Sequence, residues 1–245
     1  MKKEKKPKIY STENGAVTVK SPTKLSILSL LEERERTGRE IRENIDRSKS
    51  TISVHLSDLE KRNLIKEKQH EQDKRKKIYS PKFTFLGESK IPFDEHYEKI
   101  LNNFNKASGN KYEFLKTLFH TIRYGLSSFG FDIKPALKEM GHDIGEKIAE
   151  DMQAKDMNQV LIEIKEFWDK NGLGKIKIIE EDLIEIEDCF DCSRMPNVDQ
   201  TLCSLDEGII EGIIEKKLGI ENEVTETKCH GLGNDVCEFK IKIND

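Results

Sequence analysis

The sequence predicts an α+β protein in two parts: three short helices and a basic hairpin in front, and helices packed on an antiparallel sheet behind. Three observations predict it. The 245 residues suit two domains better than one. Charge divides them, because residues 1–90 hold 23 Lys and Arg against 14 Asp and Glu, leaving 19 basic and 32 acidic residues to the rest. Apolar spacing also changes, from helical before Gly172 to alternating after it. The formal net charge of −4 conceals this split. A basic front half suits a polyanion and an acidic back half is repelled by one, so the halves do different jobs.

The chain opens on MKKEKKPKIY, basic with no apolar stretch behind it, which argues against a signal peptide. No run approaches the length of a membrane span. A cytoplasmic setting is the expectation, and it disfavours structural disulfides. After this tail, Ala16 to Val19 reads as a short strand and Ser21-Pro22 as a helix entry. The first helix is expected from about Thr23 to Arg36, with Leu25, Leu28 and Leu31 on its apolar face. Thr37-Gly38 ends it. The second runs from about Arg39 to Ile45, with Ile41 and Ile45 one turn apart. The third runs from about Lys49 to Arg62, with Ile52, Leu56 and Leu59 inward. A hairpin follows, Leu64 to Lys68 and Lys76 to Ser80, around the polar stretch His70 to Arg75. Pro81 closes this unit, and the stretch to Pro92, with Gly87, reads as linker.

From about 93 to 170 the spacing is helical. Phe114, Leu115, Leu118, Ile122 and Leu126 form one stripe, and Leu161, Ile164 and Trp168 another. Strand-like alternation follows at Lys175 to Ile178 and Leu183 to Ile186. A helix from Leu205 to Leu218 interrupts it, with Ser204 and Glu207 spaced as a capping box and Gly219 just past its end. Gly208 and Gly212 share a face, which suits close packing against a neighbour. Val224 to His230 and Val236 to Ile243 flank a turn at Gly231 to Asp235. The expected boundaries are 1–85, a linker and connecting helix over 86–109, and 110–245.

Three short helices and a basic hairpin are the outline of a winged helix-turn-helix, whose third helix enters the major groove of double-stranded DNA. Arg47, Lys49, Ser50, Thr51 and Ser53 then lie near the groove-facing end of that helix, where short hydroxyls and cations meet phosphates and base edges. Lys74, Arg75, Lys76 and Lys77 put four cations along the wing, beside backbone phosphates. His55 reads as a packing or capping residue. The segment Ser48-Lys49-Ser50-Thr51-Ile52-Ser53-Val54-His55-Leu56 through Leu64-Ile65 resembles ArsR-type winged-helix repressors, over about residues 21–80. Such repressors read paired half-sites, so a homodimer is expected.

All five cysteines lie between Cys189 and Cys237, a clustering that favours a metal site or a redox switch. Cys203, Cys229 and Cys237 can bind zinc as thiolates and need one more ligand for a tetrahedron. Cys189-Phe190-Asp191-Cys192 is a CxxC, which can close a disulfide or bind metal. Roughly residues 110–243 resemble the 4-vinyl reductase domain, an α/β sensor module. The likeness rests on Arg123-Tyr124-Gly125-Leu126, on Trp168 with Gly172-Leu173-Gly174, on Cys203 before Glu207-Gly208 and Gly212, and on Cys229-His230-Gly231-Leu232-Gly233-Asn234-Asp235-Val236-Cys237-Glu238-Phe239.

In phenol-responsive activators of that family, zinc is held by Cys, 22 residues, Glu, two residues, Cys, seven residues, Cys. Cys203, Glu226, Cys229 and Cys237 match every interval. The resemblance therefore implies zinc at these four residues, and it also implies a small aromatic ligand. Strand alternation sends Glu226 and Cys229 to opposite faces, so a bulge or a strand ending near Lys228 is required; His230 is the fallback ligand. Methanogen regulators of the family resemble the chain in whole architecture, and their redox-dependent repression implies a thiol switch. With zinc on the other three cysteines, Cys189 and Cys192 are expected as the free, redox-active pair. A metal-responsive repressor is the rival reading. So is an enzyme or accessory of tetrapyrrole metabolism, although no dinucleotide glycine motif or nucleophile–base signature supports catalysis.

Overall fold

The computed structural model describes residues 6–69, 73–74, 76–92, 95–105, 109–193 and 195–244. Two compact units are formed, 1–91 and 92–245.

The first unit begins with a hairpin, β1 (Lys8–Thr12) and β2 (Gly15–Val19). The basic tail expected before Ala16 is thus partly strand. Helix α1 (Pro22–Glu33) starts where the Ser21 side chain accepts from the Lys24 amide, with Pro22 in the first turn. It stops short of Arg36, which lies in the two-residue strand β3 (Arg36–Thr37). Helix α2 (Gly38–Asn44) is started by a capping box between Thr37 and Glu40. Helix α3 (Lys49–Lys61) is capped by the Ser48 hydroxyl. The wing is β4 (Ile65–Gln69) paired antiparallel with β5 (Lys77–Pro81), and β3 adds to the far side of β5.

Strand β6 (Thr84–Ser89) pairs with β1, so the stretch around Gly87, expected as linker, is sheet instead. The reason is long-range. Tyr10 of β1 is fully buried between Phe83 and Phe85, with ring centroids 4.8 and 5.4 Å away. Such a pairing joins segments some 75 residues apart in sequence, which local periodicity does not carry. The core is otherwise the expected one, with Leu25, Leu28, Leu31, Ile41, Ile52, Leu56 and Leu59 all buried.

The second unit opens with α4 (Glu95–Leu101), a 3-10 turn at Asn102–Asn105 and the long helix α5 (Lys111–Ser128). A two-residue strand β7 (Phe131–Asp132) precedes α6 (Lys134–Ala149) and α7 (Met157–Asn171). Gly172, at φ 65°, ends α7 in a left-handed cap. The sheet consists of β8 (Lys175–Glu180), β9 (Leu183–Glu187), β10 (Asn222–Lys228) and β11 (Cys237–Ile243), in the antiparallel order β10-β11-β9-β8. Helix α8 (Ser204–Leu218) lies between β9 and β10 in sequence. Trp168, Ile184, Ile186, Ile210, Ile213 and Phe239 are buried in the core of this unit.

Two expectations are corrected here. The first concerns α5, which is turned the other way round. Phe114, Leu115, Leu118 and Ile122 are exposed, whereas Lys116, Thr117, His120, Arg123 and Tyr124 are buried. Its inward face is polar because it meets buried polar partners, above all Asp191. The second concerns α8, which starts at Ser204 after Cys203, with no side-chain cap. Glu207 instead accepts from the Glu226 amide at 2.7 Å, so the capping box is absent. The neighbour of Gly208 and Gly212 is α6. A Cβ on Gly208 would stand 1.9 Å from the Lys138 carbonyl oxygen, and one on Gly212 2.1 Å from that of His142. Gly141 and Gly145 of α6 meet α8 with similar closeness.

Candidate functional site

The first unit presents a basic face. Ile52, Leu56 and Leu59 hold α3 inward, which leaves Lys49, Ser50, Ser53 and Val54 exposed at its N-terminal end, with Arg47 just before it. Thr51 is half-buried, and its hydroxyl lies 2.8 Å from that of Ser48. Ser50 lies 2.9 Å from the same oxygen, so both hydroxyls also serve the cap. A hollow of about 680 Å³ opens beside this end, with Arg39, Arg42, Lys49, Lys76 and Lys77 against the single acid Glu40 on its walls. Lys76 and Lys77 of the wing therefore share a wall with α2 and α3. Arg39 and Arg42 are additions to the residues expected from sequence; helix spacing alone does not aim α2 at the wing. Lys74 is exposed, and Arg75 lies outside the described residues.

The second unit gathers all five cysteines, every one buried. Cys189 and Cys192 sit in a tight turn after β9, where the Ser193 amide donates to the Cys189 carbonyl and the Met195 amide to that of Cys192. The turn puts both thiols on one side. Cys203 stands immediately before α8. Cys237 opens β11, opposite Ile186 of β9. Cys229 follows the end of β10. The register of β10 on β11 shifts between Glu226 and Lys228, and the strand ends at Lys228. That irregularity cancels the alternation which would otherwise part Glu226 from Cys229.

Ligand atoms of Cys192, Cys203, Glu226, Cys229 and Cys237 all lie within 4.8 Å of one another, and so do those of Cys189, Cys203 and Asp206. The Cys203 and Cys237 sulfurs are 3.8 Å apart, Cys189 and Cys203 3.6 Å, and Cys192 and Cys237 3.0 Å. The expected four ligands are together, and so is Cys192. The division of the thiols into a metal set and a separate CxxC pair therefore does not hold spatially. His230, the fallback, is outside both groups among the described residues.

Glu226 is fixed at one oxygen and open at the other. Its Oε2 accepts from the amides of Leu202 and Cys203, both at 2.9 Å, while its buried Oε1 has no hydrogen-bond partner. Burial, and then the nearby Cys229, push the carboxyl up to about 8. A cation at the thiols would satisfy Oε1 and restore the carboxylate. Hydrogen bonds from neighbouring thiols, Cys192 first, hold Cys189 and Cys229 below the ordinary thiol range. Burial pushes Cys203 up. Protons are thus shared unevenly within one cluster, and soft thiolates with one carboxylate make a donor set that suits zinc.

Around the cluster, Arg123 donates to Asp191 at 2.6 Å, with both side chains buried. His120 lies 3.2 Å from the Phe190 carbonyl oxygen, and burial followed by Lys116 lowers it to about 4. The polar side of α5 therefore supports the turn that carries Cys189 and Cys192. The sequence signal for this was Arg123-Tyr124-Gly125-Leu126, singled out only as part of a family likeness.

Fold and site together define a winged helix-turn-helix joined to a cysteine-rich α+β unit. Residues 21–67 match the bacterial regulatory protein, arsR family, and residues 182–243 match the vinyl-4-reductase domain. MJ0150 of Methanocaldococcus jannaschii is 32% identical over 154 residues, covering 60% of this chain and 87% of its own. The chain belongs to the family of that protein. MJ1642 of the same organism is 31% identical over 103 residues, covering 41% of this chain and 62% of its own. Among solved structures, a vinyl-4-reductase family protein from the same methanogen aligns with a TM-score of 0.39 and 17% identity, over 61% of this chain and 92% of its own. The phenol-responsive sensory domain of the transcription activator PoxR aligns at 0.36 and 12%, over 79% and 90%. Likenesses this distant carry no functional argument. The arsR-family region points to a regulator rather than an enzyme. No helix among the described residues is long and apolar enough to cross a membrane.

Proposed function

We propose that the chain is a cytoplasmic, DNA-binding transcription regulator that acts as a homodimer, with a vinyl-4-reductase unit that holds zinc at Cys203, Glu226, Cys229 and Cys237 and senses metal, oxidation or a small ligand there. One observation carries the DNA reading: the exposed end of α3 opens onto a hollow walled by Arg39, Arg42, Lys49, Lys76 and Lys77. Five cations around one concavity suit a run of phosphates, and Ser50 and Ser53 stand beside it to meet base edges. Lys74 and Arg75 would extend the wing's reach along the backbone. The orphaned Oε1 of Glu226 beside four thiols supports the metal reading. Because Cys192 also belongs to that cluster, oxidation and metal loss would act at one place rather than at a separate pair.

The test is binding of the full chain to a mixed-sequence DNA duplex as salt is raised. Affinity should fall steeply, and replacing Arg42, Lys49, Lys76 and Lys77 by Ala should flatten the log–log slope by about 0.9 for each phosphate no longer neutralised. Zinc removal by a chelator should change the affinity of the parent chain. No binding at low salt, or an unchanged slope in the variant, overturns the DNA reading.

A further inference from the structure

The cysteine centre holds more donors than one zinc ion needs. After Cys203, Glu226, Cys229 and Cys237 are assigned, Cys189, Cys192 and Asp206 remain, all buried in the same place. Asp206 is the most telling of the three. It sits in the first turn of α8, and its Oδ2 is 3.7 Å from the Cys189 sulfur. The nearby guanidinium of Arg123 is already committed to Asp191. Burying a carboxyl against a thiol with no cation is costly.

We infer that the centre takes a second thiophilic divalent ion, bound by Cys189, Cys203 and Asp206, with Cys203 bridging it to the first. The inference rests on the zinc reading above. The spacing supports two ions. A tetrahedral site with zinc–sulfur bonds of about 2.3 Å has ligand sulfurs about 3.8 Å apart. Cys203 stands at that spacing from Cys237 on one side, 3.8 Å, and near it from Cys189 on the other, 3.6 Å. It is the one residue common to both groups of donors. Cys192 lies against Cys237 at 3.0 Å, too close for both to keep their places on one tetrahedral ion. It also faces Cys189, so a small rotation would let it complete the second ion's shell. The same close spacing leaves no room for inorganic sulfide between the thiols, which separates this centre from an iron–sulfur cluster. Binding replaces thiol and carboxyl protons by the ion, so protons are released and no electron moves.

The test counts metal. The full reduced chain is saturated with zinc, stripped of free ion, and assayed by mass spectrometry for metal per chain; a parallel sample loaded with cadmium is read by cadmium NMR. About two ions per chain and two cadmium resonances are expected. Asp206→Asn and Cys189→Ser should each fall to about one ion, while Cys203→Ser should lose both. Saturation at one ion, left intact by Asp206→Asn, overturns the second position and leaves the first standing. No ion in the parent chain overturns both. Iron with sulfide in place of zinc overturns the two-ion assignment.

Discussion

The contact between α6 and α8 allows a quantitative test. Gly208→Ala adds a single methyl group, and that group would lie 1.9 Å from the Lys138 carbonyl oxygen and 2.8 Å from the His142 amide. Both atoms are backbone of a regular helix, so no side chain can swing aside; α6 must move away. Overpacking of this kind costs about 3 kcal/mol. Alanine is the better helix former by about 1 kcal/mol, which opposes the loss. The net expectation is destabilisation of about 2 kcal/mol, with the packing cost prevailing over propensity. Trp168 is the sole tryptophan, is fully buried, and lies in the second unit, so its fluorescence follows that unit alone during urea unfolding. Gly208→Ala should lower the midpoint clearly. Gly38→Ala is the control. Its Cβ would meet only side-chain atoms, at 3.6 Å, and it lies in the first unit, so the Trp168 midpoint should stay put. An unchanged or raised midpoint in Gly208→Ala would refute the claim that backbone contact sets the α6–α8 spacing.

Three further outcomes follow from the same geometry. Arg123→Met strands Asp191 as a buried, unpaired acid and should cost about 3–5 kcal/mol; the double variant Arg123→Met/Asp191→Leu should recover most of this, and a double no better than the single would sink the ion-pair account. His120 is lowered to about 4, facing Lys116, Arg123 and Cys189 with its ring nitrogen on the Phe190 carbonyl, so the native state favours its neutral form. Its contribution is therefore full above about pH 6.5 and is lost as pH falls toward 4, up to about 3 kcal/mol in all, and His120→Gln should show a shallower loss of stability across that window. Glu226→Gln keeps a carbonyl oxygen for the Leu202 and Cys203 amides but weakens the metal site, so metal affinity should fall much more than stability of the metal-free chain; equal loss of both would argue for a purely structural carboxylate.

Much of the first unit could be read directly. Ile52, Leu56 and Leu59 recur at helix spacing, Ser48 and Thr37 are capping residues at the right positions, and the wing's lysines stand in one run. These are local signals, and each is decided within a turn or two of chain. Strands β1 and β6 were missed because neither is apolar enough to announce itself. Tyr10, Phe83 and Phe85 become a core only once the pairing brings them together.

For the site, the sequence by itself determined which residue types were available and four positions spaced as a ligand set. It could not show that Glu226 and Cys229 share a face, because a register shift, invisible to alternation, reverses one of them. Helix α5 posed a subtler problem. Its apolar stripe of Phe114, Leu115, Leu118 and Ile122 is genuine, yet the opposite side goes inward. Amphipathic spacing says that two faces differ, not which one a neighbour needs, and here the neighbour offered Asp191 and a backbone carbonyl. Tertiary structure alone decided that Cys192 meets Cys237 across 45 residues of chain, and Cys189 meets Cys203 and Asp206. Such meetings depend on how a turn, a helix start and two strand ends converge, and no local stretch of sequence specifies that convergence.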